Sequence, residues 1–122
     1  MCKYPRHPKT AAVIRRAREI IADPARSTPA LDAVDAEGIE THARHGRAVR
    51  FSGVGTLDRA AMELIPDHDG SAYKAAADAY WAVNTRYGTI IRYDNLSYIN
   101  EKGHQAVLDV FDEALAYKPC EC

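Results

Sequence analysis

The sequence predicts a mainly α-helical fold: a compact bundle of three or four helices, with a small β-hairpin between the first two. Three observations carry that prediction. Apolar residues recur at helical spacing along residues 13–21 and 107–115, and tyrosines repeat every seven positions along residues 73–87. Proline or glycine stands where the helical segments stop, at Pro24, Pro66 and Gly88. One segment, residues 31–41, has hairpin form with a glycine at its turn. A chain of 122 residues is long enough for a single core and too short for two. Residues 1–122 therefore read as one domain, with residues 1–8 and 118–122 as loosely held ends.

Thr10 is placed to cap a first helix in which Val13, Ile14, Ala17, Ile20 and Ile21 share one face, and Asp23-Pro24 stops it. A loop of Pro, Ser and Thr follows over residues 24–29. Residues 31–34 and 39–41 then flank Asp35-Ala36-Glu37-Gly38, a short hairpin with Gly38 supplying the positive φ. A helical turn started by Thr28-Pro29 is the competing reading. Residues 48–51 lead through Gly53 and Gly55 into a second helix from about Thr56 to Ile65, ended by Pro66. Ser71 caps a third helix that runs to Tyr87 and closes on Gly88. Residues 89–103 read as an irregular connection. The last helix starts near His104, with Gly103 at its N-cap, and carries Val107, Leu108, Phe111, Ala114 and Leu115 on one face. The expected core joins Val13, Ile20, Phe51, Leu57, Trp81, Leu108 and Phe111.

Composition narrows the class. Apolar residues make up 47% and charged residues 27% of the chain, which excludes disordered and collagen-like classes. No apolar run nears the roughly 18 residues of a membrane span, and the basic first ten residues precede an amphipathic segment, not an apolar leader core. A cytoplasmic protein with no membrane partner is expected. Cys2, Cys120 and Cys122 lie at the ends, where they cannot staple the middle of a fold, and this fits a reducing compartment.

The net charge of −1 hides a block pattern. Residues 1–26 carry seven Lys/Arg against two acids, and residues 27–40 carry four acids and no base. Residues 41–60 carry four Arg against one acid, and residues 61–122 ten acids against five bases. The basic first block offers a surface to nucleic acid or to an acidic protein, with Arg15, Arg16 and Arg18 at its centre. The plainer reading is a solvated face, since those arginines and Arg26 fall where a helix points outward in any case.

Candidate functional residues fall into three groups. Tyr73, Tyr80 and Tyr87 line one face of the third helix beside Trp81. Such stripes are usually core, and the alternative is a partner surface, because Tyr and Trp make interface hot spots. Arg92, Tyr93, Asp94, Asn95 and His104 form the second group: Asp and His can act as base and orienter, Asn and Arg as stabilisers of negative charge. Against this, Asp and Asn before a helix commonly satisfy loop amides. Gly53 and Gly55 form the third, since backbone N–H groups at a helix start can hold an anion. The chain lacks GxxxxGK[ST], however, and also GxSxG, HExxH and CxxC. His42-x-x-His45 falls in a loop without a Cys, Asp or Glu set around it, and Cys120-x-Cys122 with Cys2 and His7 closes a zinc site only if the termini meet. No metal and no cofactor is expected.

Two stretches carry a family resemblance. Phe51-Ser52-Gly53-Val54-Gly55-Thr56-Leu57-Asp58-Arg59-Ala60-Ala61 and His104-x-x-Val107-Leu108-x-x-Phe111-Asp112-x-Ala114-Leu115 resemble an uncharacterised family of short bacterial and phage proteins. Its members pair a Phe-Cys-Ala-x-Gly-Ala-Leu-x-Arg-Ala-Ala stretch with a Phe-Asn-Asp loop and a His-Ala-Glu-Val-Leu-x-Leu-Phe-Asp-x-Ala helix. Ser52 stands where the family often has Cys, and Tyr93-Asp94-Asn95 inverts its Asn-Asp order. The resemblance implies a shared fold and no particular chemistry. The expected function is a non-enzymatic binding protein docking on another macromolecule, as an accessory or inhibitor, for example against a defence system, carried by a bacterium, phage or mobile element. A protein partner is expected first and nucleic acid second, with self-association left open. The alternative is a small enzyme or ligand binder working from residues 92–104.

Overall fold

A computed structural model describes residues 9–30, 32–66, 70–85 and 96–116. The fold is mainly helical. Four helices of twelve or more residues form the bundle: α1 (Thr10–Ile21), α2 (Gly53–Leu64), α3 (Ser71–Asn84) and α5 (His104–Ala116). A six-residue helix, α4 (Leu96–Glu101), precedes α5. A single 3₁₀ turn at Pro24–Arg26 follows α1. Between α1 and α2 lies a three-stranded antiparallel sheet in the order β2-β1-β3, made of β1 (Ala33–Val34), β2 (Glu40–Thr41) and β3 (Arg50–Phe51).

The expected hairpin is present, and Gly38 turns it with φ +82°. Asp35 Oδ1 accepts from the N–H groups of Glu37 and Ile39 at 2.9 and 3.0 Å, so the acid organises the turn that the glycine permits. Ala33 pairs with both Thr41 and Phe51, and Val34 with both Glu40 and Arg50. Strand alternation then sends Ala33 and Phe51 into the core, both fully buried. The sequence reading missed β3. Two residues are too short for an alternating pattern to show, and the strand exists because β1 is there to pair with it.

Helix ends depart from the expected caps. Thr10 is the first helical residue, with Lys9 at the N-cap, and Ser71 likewise stands inside α3 behind Gly70. The second helix starts at Gly53, earlier than expected, because Ser52 is the true cap: its Oγ accepts from Gly55 N–H at 2.9 Å. The expected stop at Asp23-Pro24 holds, and Asp23 caps the 3₁₀ turn by accepting from Ala25 N–H at 2.9 Å. The C-terminal part of the third helix assigned from sequence, including Tyr87 and Gly88, lies outside the described residues. The connection expected to be irregular over residues 89–103 contains α4. Asn84 Oδ1 accepts from Leu96 N–H at 2.9 Å, so the end of α3 holds the first turn of α4.

α1 is the central helix and packs on α2, α3 and α5. Val13, Ile20, Phe51, Leu57, Leu108 and Phe111 are buried together, as expected, and so is Leu96. Trp81 is a correction: it is 45% exposed. α3 packs through Ala72, Ala75, Ala79, Ala82 and Val83, and small side chains bring its backbone close to the core, leaving no room beneath it for an indole. No helix among the described residues is long and apolar enough to cross a membrane.

Candidate functional site

The aromatic residues of α3 lie on the side opposite its alanine face. Tyr73 is 65% exposed and Trp81 45%, with the exposed Ala77 between them at four residues from each. Residues at that spacing share one helix face. Tyr80 is half-buried at the edge of the same face, against the core. Between α2 and α3 runs an open groove of about 190 Å³, lined by Val54, Leu57, Asp58, Tyr73, Ala76 and Tyr80 among others. Tyr73 and Tyr80 are thus brought together, while the third member of the stripe, Tyr87, lies outside the described residues.

Tyr73 is held in place from an adjacent loop. The Arg44 guanidinium sits over its ring at 5.5 Å from the centroid and also bonds Asp58 Oδ1 at 3.3 Å. A guanidinium on an aromatic face adds electrostatic attraction to the contact. The loop that presents Arg44 is itself tied down. Asp32 Oδ1 accepts from Ala43 N–H at 3.2 Å, and Arg59 Nη1 donates to the carbonyls of Ala43 and His45 at 3.3 and 3.1 Å. His42 and His45 each accept a backbone N–H on Nδ1, from Arg44 and Arg47, at 3.1 Å. The two imidazoles therefore replace the Asp or Asn of an Asx turn, and a His-x-Arg-His-x-Arg repeat was the sequence signal for it. Among the described residues no group of three or more His, Cys, Asp or Glu is arranged to hold a metal.

The basic face of α1 is largely spent within the molecule. Arg15 is exposed. Arg16 bonds Glu63 at 2.7 Å and Glu19 at 3.3 Å, and Arg18 grips both oxygens of Asp112 at 2.5 and 3.1 Å. The hydrogen bond to Glu63 raises the Arg16 guanidinium above its ordinary pKa, and that to Asp112 does the same for Arg18. Both arginines clip α1 to its neighbours, α2 through Glu63 and α5 through Asp112.

Of the second group, Arg92, Tyr93, Asp94 and Asn95 lie outside the described residues. His104 stands at the start of α5, where its Nε2–H donates to the Ile21 carbonyl at the end of α1. The ring therefore serves as a C-terminal cap for α1. A cleft of about 190 Å³ lies beside it, with Thr28, Pro29, Asn100 and Glu101 on its walls. Asn100 is only 8% exposed and fully engaged. Its Oδ1 accepts from Gly53 N–H at 3.0 Å, and its Nδ2 donates to the carbonyls of Thr28 and Ala30, each at 3.4 Å.

Those bonds bear on the anion reading of the two glycines. At the start of α2, Asn100 takes the N–H of Gly53, the Ser52 hydroxyl takes that of Gly55, and the Ser52 carbonyl takes that of Thr56 at 2.8 Å. Three donors that a phosphate would need are already satisfied. Gly55 has a packing role instead, since a Cβ built on it would stand 2.1 Å from the Asp32 carbonyl oxygen. Comparison with protein families, curated proteins and solved structures returns no match.

Proposed function

We propose that this chain is a non-enzymatic binding protein that docks on another macromolecule through the exposed face of α3. The carrying observation is the pair Tyr73 and Trp81, 65% and 45% exposed on one helix face beside an apolar groove. Large aromatic side chains left in solvent gain most by being covered, and they supply the anchors of interfaces. The Arg44 stack supports the same reading, because a pre-positioned Tyr73 loses little freedom when a partner arrives. A role as an accessory or inhibitor carried by a bacterium, phage or mobile element rests on the resemblance of the two motifs. A protein partner fits better than nucleic acid, since Arg16 and Arg18 are held by carboxylates.

The test is capture from a bacterial lysate, identification of what is retained, and calorimetric titration of that purified partner. Tyr73→Ala and Trp81→Ala should each weaken binding tenfold or more, with unchanged circular dichroism. Equal affinity of both variants and the parent would overturn the proposal. The alternative, a ligand binder or enzyme working from residues 92–104, draws support from the cleft beside His104. It requires binding or turnover of a small molecule that His104→Gln abolishes and Trp81→Ala leaves intact.

A further inference from the structure

The exposed face of α3 has a pattern that suits a particular partner. Ala77 lies at its centre, with Tyr73 one turn before and Trp81 one turn after. On one flank Lys74 and Asp78 stand 3.3 Å apart as an ion pair, their side chains 70% and 31% exposed. On the other flank Tyr73 and Tyr80 line the groove. A small residue at the centre lets a second helix approach closely.

We infer that this face is a two-fold contact with a second copy of the chain, the two α3 helices packing antiparallel about Ala77; the inference rests on the docking reading above and names the partner. An antiparallel two-fold through Ala77 exchanges each flank with itself. Lys74 then lies beside the partner's Asp78, and Asp78 beside the partner's Lys74. The same operation sets Tyr73 against the partner's Tyr80 on the opposite flank, and brings Tyr73 and the partner's Trp81 to one level across the centre. A parallel two-fold pair would instead lay the Lys74–Asp78 flank against the partner's Tyr80 flank, leaving neither charge an opposite charge to meet across the contact. The face is thus complementary to itself in charge, as an isologous interface requires. One helix face with two exposed aromatics is small beside the interface of a permanent dimer, so the pair should exchange with monomer in the micromolar range.

Sedimentation of the full chain over a dilution series tests this. The expected result is a reversible monomer–dimer equilibrium that Ala77→Glu and Trp81→Ala shift toward monomer at least tenfold, with helical content unchanged. Lys74→Glu alone should also weaken it, and Lys74→Glu with Asp78→Lys in the same chain should restore it. In a chain with Cys2, Cys120 and Cys122 replaced by Ser, Ala77→Cys should form a covalent dimer on mild oxidation, because the position meets itself on the axis. A monomer at every concentration, or a dimer indifferent to Ala77→Glu, would overturn the inference. The two readings fail separately: a monomer whose captured foreign partner is still lost on Trp81→Ala overturns only the second-copy assignment. Indifference to Trp81→Ala in both sedimentation and capture overturns both.

Discussion

Gly55 and Gly46 show how differently one residue type is used. A methyl at Gly55 would run into backbone, 2.1 Å from the Asp32 carbonyl, whereas a methyl at Gly46 meets nothing within 4 Å. Backbone yields less readily than a side chain, so Gly55→Ala should destabilise by about 3 kcal/mol or prevent folding. Gly46→Ala should be neutral or stabilise by up to about 1 kcal/mol through the unfolded chain. Urea melts of the two variants decide the matter, and equal midpoints would refute this account of the Asp32–Gly55 contact. Asn100 is the second residue on which much rests. It joins the 24–30 loop to the start of α2 with three hydrogen bonds. Asn100→Ala leaves a buried N–H and two carbonyls short of partners and should cost about 2–3 kcal/mol. Asn100→Asp keeps the acceptor for Gly53 but turns a carboxylate toward the two carbonyls, so it should not rescue stability at neutral pH. Nothing in its sequence neighbourhood marks Asn100, because all its partners come from distant segments.

At the level of elements, α5 and α3 show what periodicity can and cannot establish. Along α5 the apolar positions are large, and Val107, Leu108, Phe111 and Ala114 all point inward as expected. Phe111→Ala should cost about 3–5 kcal/mol. Along α3 two faces compete, one of alanines and one of aromatics, and either can be read as the buried one. The structure buries the alanines. Trp81→Ala should therefore cost less than about 1.5 kcal/mol, since the indole is already half in water. A loss as large as that for Phe111→Ala in thermal melts would return Trp81 to the core. The helix starts were legible only to within a few residues, because Thr10, Ser52 and Ser71 all qualify as caps by type and tertiary packing selects Ser52 alone.

For the whole molecule, charge blocks that suggested a partner surface are in good part internal clips. α1 is held to α5 by Arg18–Asp112, ninety-four residues apart in sequence, and to α2 by Arg16–Glu63. Each pair is well exposed and contributes at most about 1 kcal/mol. Arg18→Glu should lower stability by an amount of that order, and added salt should shrink the difference between variant and parent. An Arg18→Glu variant that melts like its parent at low salt would show that the clip is idle. The same substitution should leave docking through α3 unaffected, since Arg18 and Asp112 belong to α1 and α5 and neither lines the groove beside Tyr73. Raised guanidinium pKa values keep Arg16 and Arg18 charged to strongly alkaline pH, so neither clip is lost as pH rises through the ordinary range.

Local chemistry in the sequence determined the fold class, the hairpin with its glycine, the proline stops and the apolar faces of α1 and α5. Each follows from interactions a few residues apart, which spacing and residue type reveal. The tertiary structure alone decided which face of α3 is buried, that β3 pairs with β1, and that a helix precedes α5. It also decided that Arg16, Arg18, His104 and Asn100 serve contacts inside the molecule. Those outcomes turn on groups 12 to 94 residues apart that meet only after folding, and no local pattern encodes which of several adequate partners will be the one in reach.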